Sequence, residues 1–238
     1  MARTPAGQDN KGRMRRRMQS GSRNKKLYDL AAASPLIVWY GYAIAHMLPQ
    51  IVAQIASAPR SFQTILPAAS QIVTIVFLGL QITLFLIRRV PMSKAEGWMP
   101  RAAALVGSNL LLALLAIPRV TLSPTMTIFS SLFVLAGTAG AIWSAMWLGR
   151  SFAIFPQARA LVTGGPYRFV RHPIYLAEQI AAFGILWQYQ QPWALLIVLA
   201  NLAAQFPRMY FEEQVLTKNF PFYSAYAACT ARLVPGVY

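Results

Sequence analysis

Two short stretches hold most of the residues able to do chemistry. The first, residues 149–175, reads GRSFAIFPQARALVTGGPYRFVRHPIY and is dense in Arg, aromatics, Gly and Pro. Thr163-Gly164-Gly165-Pro166 is turn chemistry, because the glycines permit φ > 0 and the proline fixes the next φ. Arg168, Arg171 and His172 then stand directly before an apolar segment opened by Pro173, with Tyr175 two positions on. Proline suits a helix start, since its missing N–H would be an orphan there anyway. The neighbouring N–H groups point outward and favour an anionic group such as a carboxylate. The second stretch is Arg208-Met209-Tyr210-Phe211-Glu212-Glu213, at the end of the last apolar segment. On a helix Arg208 and Glu212 share a face, and Glu213 lies about 100° round from Glu212. Adjacent carboxylates at a membrane surface are costly unless they pair with cations or bind a ligand. Glu178, one turn beyond Tyr175, adds a third acid within an apolar zone. Spacing alone leaves two readings open. One is a ligand site; the other is an ion-pair belt in which Arg168 and Arg171 neutralise Glu212 and Glu213 to dock two helices.

Composition says what must carry these stretches. The chain has 238 residues, 56% hydrophobic and 12% charged, with 22 Lys+Arg against 6 Asp+Glu, a net +16. A soluble domain carries about 25% charged residues, so a water-facing surface cannot be assembled. A nucleic-acid partner is not expected either, because a phosphate-tracking face needs more than scattered cations. The single Cys229 excludes an intramolecular disulfide and any multi-Cys zinc or iron–sulfur site. With His46 and His172 far apart, no metal is expected. His46 reads as a hydrogen-bonded core or interfacial histidine, there being no acidic or Cys companion nearby.

The fold class that remains is all-α, a polytopic membrane helix bundle of five to six transmembrane helices. Residues 1–29 read as a basic, disordered cytoplasmic tail holding nine cations, Arg3 to Lys26. Residues 30–148 hold four transmembrane helices, with apolar segments at 30–55, 67–87, 101–118 and 125–148, each near the roughly 20 residues a bilayer core requires. Residues 149–238 form the C-terminal region, with shorter segments at 174–187 and 193–206 as a short helical hairpin. Ala56-Ser57-Ala58 resembles a cleavage site, but the apolar segment before it is far longer than a signal-peptide core. The patch Ala136-Gly137-Thr138-Ala139-Gly140-Ala141 reads as close helix packing rather than a cofactor loop, since no strand precedes it. If six segments cross, only Arg60 and Arg119 fall opposite the remaining cations. That bias puts both termini in the cytoplasm, at the inner membrane if the source is bacterial.

The two stretches together resemble the isoprenylcysteine carboxyl methyltransferase family, and phospholipid N-methyltransferases share much of the pattern. The resemblance covers residues 149–235. It rests on Gly165-Pro166-Tyr167, Arg171-His172-Pro173-x-Tyr175, Arg208, Glu212-Glu213, Tyr223, Tyr226 and Pro235 in order. It implies a C-terminal cytoplasmic region that binds S-adenosylmethionine without a Rossmann domain, in keeping with the lack of a strand–GxGxxG–helix unit. The implied cofactor contacts are Tyr167, His172, Pro173, Tyr175, Glu212 and Glu213, with Arg171 and Arg208 as the implied catalytic arginines near the methyl-transfer site. The implied partners are membrane lipids and a lipophilic or lipidated acceptor, of the isoprenylcysteine carboxylate type or another small nucleophile. The chain departs from the family at Phe220-Pro221, where Gly usually follows the aromatic. Three alternatives stay open: a phospholipid N-methyltransferase, an NADPH-dependent membrane sterol-type reductase sharing R-H-P-x-Y, and a non-catalytic scaffold.

Overall fold

The computed structural model describes residues 6–57, 61–89 and 91–236. Arg3, Arg60 and the Ala58 of the cleavage-like triplet lie outside them. Helix α1 spans Ala6–Ser57, so helical backbone begins within the stretch read as a disordered tail. Helix α2 (Phe62–Ile87) starts five residues before the expected segment. Its first turn is set by a reciprocal cap in which the Ser61 N–H donates to Thr64 Oγ1 at 3.2 Å. The segment expected at 101–118 is a helix α3 (Met99–Asn109) that tightens into a 3₁₀ run over Leu110–Ala116. Helix α4 (Pro124–Leu148) is capped by Ser123, whose side chain accepts from the Met126 N–H at 3.3 Å, and ends at Gly149. Helix α5 covers Pro173–Leu186, α6 Trp193–Asn219 and α7 Tyr223–Cys229. The two-residue strands β1 (Ser93–Lys94) and β2 (Gln157–Ala158) pair antiparallel, Ser93 opposite Ala158.

The expectation of an all-helical membrane bundle holds. Among the described residues, five helical stretches are long and apolar enough to cross a bilayer: Ala33–Ala56, Phe62–Ile87, Met99–Ala116, Pro124–Ser151 and Trp193–Asn219. The sixth, α5, has 14 residues, about 21 Å of helix against a core of about 30 Å. The glycines Gly164 and Gly165 lie on the Trp147 indole at the end of α4. At the far end of α5 the Gln188 side chain donates to Ser130 Oγ at 2.9 Å, and the Gln190 N–H donates to Pro118 O at 3.1 Å. Arg119 and the turn after α5 therefore share one end of the bundle. Arg88, Arg89, Arg150 and β1–β2 share the other, where the Arg89 N–H donates to Arg150 O.

The small-residue patch of α4 does serve packing. A Cβ on Gly137 would fall within 2.6 Å of Ala177 O and 2.8 Å of Ala181 Cα, so only glycine lets α5 approach so closely. Gly184 of α5 meets the α4 backbone at Ser130 in the same way. The short hairpin is the expectation that needs correcting. Its second arm does not stop at residue 206: α6 runs 27 residues straight through Pro207 to Asn219. Apolar character ends at 206, but the backbone hydrogen bonds do not, and Arg208, Glu212 and Glu213 sit mid-helix in consequence.

Candidate functional site

Tertiary pairing, more than local propensity, positions the motif residues. Gly165 adopts φ 59°, a left-handed value that turns the chain over Trp147 into the 3₁₀ turn Gly165–Arg168. The C-terminal segment then runs alongside: Val170 bridges Ala231, the Arg171 N–H donates to Ala231 O at 2.8 Å, and the His172 N–H donates to Arg232 O at 3.1 Å. This pairing fixes the residues before Pro173 and brings Arg232 to α6. Pro173 is buried at the first position of α5, and no side chain caps that turn.

Glu213 is buried and surrounded by donors. Arg171 Nη1 lies 3.0 Å from its Oε1, His172 Nε2 donates to Oε1 at 2.9 Å, and Arg232 donates Nε to Oε1 at 3.1 Å and Nη2 to Oε2 at 2.8 Å. A carboxylate has about four acceptor positions, and this one is filled. Glu212 is different: its side chain is 34% exposed, and its Oε2 accepts the Tyr175 hydroxyl at 2.6 Å. The His172 and Tyr175 rings stack, 5.3 Å apart and 2° from parallel. Arg208, 4% exposed, lies with its guanidinium carbon 4.4 Å from the Tyr175 ring centroid and Nη1 3.8 Å from Glu178 Oε2.

These groups face a cavity of about 260 Å³ between the helices, with walls that include Tyr40, Tyr167, Arg171, His172, Tyr175, Glu178, Arg208 and Glu212. Apolar residues such as Phe77, Leu111 and Ile185 line it as well. A smaller cleft of about 50 Å³ beside α7 shares Tyr167, Arg171, His172 and Glu212 with it. Burial, followed by the Glu212 charge, raises the Tyr167 hydroxyl well above its ordinary range. Burial pushes Tyr226 up to about 12, and its neutral hydroxyl donates to Tyr167 O at 2.6 Å.

The structure thus brings Tyr167, Arg171, His172, Tyr175, Arg208 and Glu212 to one cavity, with Glu213 directly behind His172. Arg168 does not join them; it is exposed and lies over the Phe169 ring. The ion-pair belt is partly real, since Arg171 does meet Glu213, but its second cation is Arg232. Arg208 turns from Glu212, its i+4 neighbour, toward Glu178. Arg232 was not legible because the chain between it and Glu213 gives no spacing rule. Asn201 and Gln205 could have been found: with Arg208 they form a polar i, i+4, i+7 stripe in an apolar helix. Both donate to Gly107 O, at 3.2 and 3.0 Å, and Gln205 Oε1 accepts from Arg208 at 3.1 Å. His46 lies on the exposed face of α1 edge-on to Tyr42, ring centroids 4.7 Å apart. Among the described residues no three His, Cys, Asp or Glu side chains group as metal ligands would.

The site coincides with a recognisable domain. Residues 118–222 match the family model described as phospholipid methyltransferase. The chain is 31% identical over 119 residues to the cobalt-zinc-cadmium resistance protein CzcN of Cupriavidus metallidurans, covering 48% of this chain and 50% of that protein. It is 28% identical over 116 residues to the nickel-cobalt-cadmium resistance protein NccN of Alcaligenes xylosoxydans xylosoxydans, covering 48% and 52%. The aligned region spans about half the length of these curated relatives. The matched residues 118–222 contain Tyr167, Arg171, His172, Tyr175, Glu178, Arg208 and Glu212 of the cavity wall, so over this stretch the chain is similar to the phospholipid methyltransferase family.

Proposed function

We propose that this protein is an S-adenosylmethionine-dependent methyltransferase of the membrane, with both termini cytoplasmic. It takes a soluble cofactor from the cytoplasm and a lipophilic acceptor from the bilayer. One observation carries the reading: Tyr167, Arg171, His172 and Glu212 wall both the cleft beside α7 and the larger, partly apolar cavity. A polar molecule in one and an apolar molecule in the other meet at the same side chains.

The donor set fits such a cofactor. Arg171 Nε and Arg208 Nε are buried without a hydrogen-bond partner among the described residues, and an orphaned guanidinium N–H favours an anion. Arg171 and the uncapped first turn of α5 suit the cofactor's carboxylate. Glu212, partly exposed and oriented by Tyr175, suits its hydroxyl or amino groups. When bound, S-adenosylmethionine supplies a methyl group on a sulfonium. The chain's own part is positioning and electrostatics. Glu213 holds Arg171 and His172 in place from behind the cavity. Arg208, held by Gln205 and Tyr175, orients an anionic acceptor such as an isoprenylcysteine carboxylate. An amine or thiol acceptor needs a base instead. Glu178 is favoured over His172 and Tyr175 because His172 Nε2 is tied to Glu213 and the Tyr175 hydroxyl to Glu212. The family description favours a phospholipid amine as the second reading.

Calorimetry on the purified protein tests both. S-adenosylmethionine is expected to bind at about micromolar Kd, and His172→Ala to abolish binding while the fold survives. Unchanged binding by that variant removes the site assignment, and binding of NADPH instead favours the reductase alternative. Transfer of labelled methyl to a prenylcysteine but not to phosphatidylethanolamine selects the carboxylate acceptor, and the reverse selects the phospholipid.

A further inference from the structure

We infer that Gln81 of α2 and Ser108 of α3 select the acceptor, by binding a neutral group near the methylated atom that both donates and accepts a hydrogen bond, a hydroxyl or an amide. The inference rests on the reading of the larger cavity as the acceptor's site and narrows the class of lipophilic molecule that enters it. Both residues line that cavity. Both lie outside residues 118–222, the stretch that matches the family.

Their depth sets them apart. Gln81 precedes the end of α2 at Ile87, and Ser108 follows the start of α3 at Met99, which places them roughly 9 and 14 Å of helix from that end of the bundle. An unpaired polar group at such depth is costly. Other hydroxyls of the spanning helices bond back to their own backbone: Ser70 Oγ donates to Pro67 O, Thr74 Oγ1 to Ser70 O and Ser144 Oγ to Gly140 O, each at 2.8 Å. Ser108 Oγ is buried and has no partner among the described residues. Gln81 is 7% exposed, and its side chain makes no hydrogen bond to a described residue. The neighbouring amides of α6 are already committed. Asn201 accepts from Gln179 at 2.8 Å and donates to Gly107 O, while Gln205 donates to the same carbonyl and accepts from Arg208.

The unmet groups specify their ligand. Gln81 presents an amide N–H₂ and a carbonyl, and Ser108 a hydroxyl, so donors and acceptors both call for partners. A hydroxyl or an amide supplies both, whereas a plain hydrocarbon chain supplies neither. Neither residue is charged, so the group they bind is neutral. Its closeness to the reacting atom follows from Gly107, the neighbour of Ser108. A Cβ there would meet Arg208 Cδ at 3.0 Å, so α3 passes Arg208 at this level. The bound group then lies within a few carbons of a nucleophile held by Arg208 or Glu178. Phe77, Leu111 and Ile185 of the same cavity take the hydrocarbon body.

Matched probes isolate that group. For an acid acceptor, β-hydroxymyristate and N-lauroylglycine are each compared with myristate; for an amine, sphinganine is compared with octadecylamine. Each is titrated by calorimetry into the protein in phosphatidylcholine nanodiscs, with empty nanodiscs as the blank. The wild type should bind at least one hydroxyl- or amide-bearing probe about tenfold more tightly than its plain counterpart. Preference for the hydroxylated probes alone identifies a hydroxyl, and preference for N-lauroylglycine alone an amide. Gln81→Leu/Ser108→Ala should lose the preference, with an unfolding midpoint at or above that of the wild type, since the side chains removed have no partner to lose. Equal affinities in every comparison, as a cavity holding only water would give, overturn the inference. So does a preference that survives in the variant, or a lowered midpoint, which would show that the two side chains have partners within the protein. S-adenosylmethionine binding is measured on the same wild-type sample. Its absence removes the methyltransferase reading, whereas its presence without any preference removes only the assignment of Gln81 and Ser108.

Discussion

The Arg208 guanidinium stacks 4.4 Å above the Tyr175 ring while the same tyrosine's hydroxyl donates to Glu212 Oε2 at 2.6 Å. One side chain of α5 is therefore held at its face and at its tip by two residues of α6, four positions apart. Removing only the tip, as Tyr175→Phe, deletes a hydrogen bond to a carboxylate. Such bonds contribute about 1.5–3 kcal/mol, so cofactor affinity should fall about tenfold with the fold intact, as measured by calorimetry.

Arg208 itself bridges Tyr175, Gln205 and Glu178. Arg208→Lys keeps the charge but loses the planar fork. Methyl-transfer kcat is expected to drop at least about a hundredfold, in line with the loss of one preorganised electrostatic group. Cofactor Kd should change far less. A kcat equal to wild type in single-turnover assays would remove Arg208 from the chemistry.

Glu213 accepts from Arg171, His172 and Arg232. Glu213→Ala leaves those donors in a buried pocket without their carboxylate, a loss of about 3–5 kcal/mol. Glu213→Gln retains one acceptor oxygen and should unfold at an intermediate temperature. Thermal unfolding in detergent gives the order wild type, Gln, Ala; a reversed order would show that Glu213 is not the clamp.

Gly137 and Gly140 are one helical turn apart yet should respond differently to alanine. At Gly137 the added Cβ would meet Ala177 O at 2.6 Å and Ala181 Cα at 2.8 Å, whereas at Gly140 it meets Ala177 Cβ at 3.3 Å. Overpacking costs about 1–3 kcal/mol. Gly137→Ala should lower the unfolding midpoint clearly and Gly140→Ala only slightly, since a 3.3 Å approach needs a shift of only a few tenths of an ångström.

Tyr226 stays protonated to about 12 because it is buried, and it anchors α7 to Tyr167 O. An unfolded tyrosine titrates near 10. Its contribution is therefore fully present below about pH 10 and is lost as pH rises toward 12, because the unfolded chain ionises first. Stability measured between these values should fall more steeply in the wild type than in Tyr226→Phe, and the variant should lose about 1 kcal/mol at neutral pH.

Much of this molecule is determined locally. With 12% charged residues against 56% hydrophobic, the chain has no means of covering itself with polar groups, so the membrane bundle follows from composition. Gly164-Gly165-Pro166 fixes a turn, Pro173 a helix start, and the scarcity of acids singles out Glu212 and Glu213, because each property belongs to a residue and its neighbours. Tertiary structure decided what those acids do. Glu213 became a buried clamp only because residues 231–232 run beside 170–172 and deliver Arg232, and Glu212 stayed partly open beside Tyr175. The course of α6 through Pro207 was also invisible locally, since apolar periodicity ends before the hydrogen-bonded helix does. So was the junction of Asp29 with Arg88 and Arg159, which lie 59 and 130 residues away. Contacts at such separations depend on helix packing, and spacing along the chain carries no record of it.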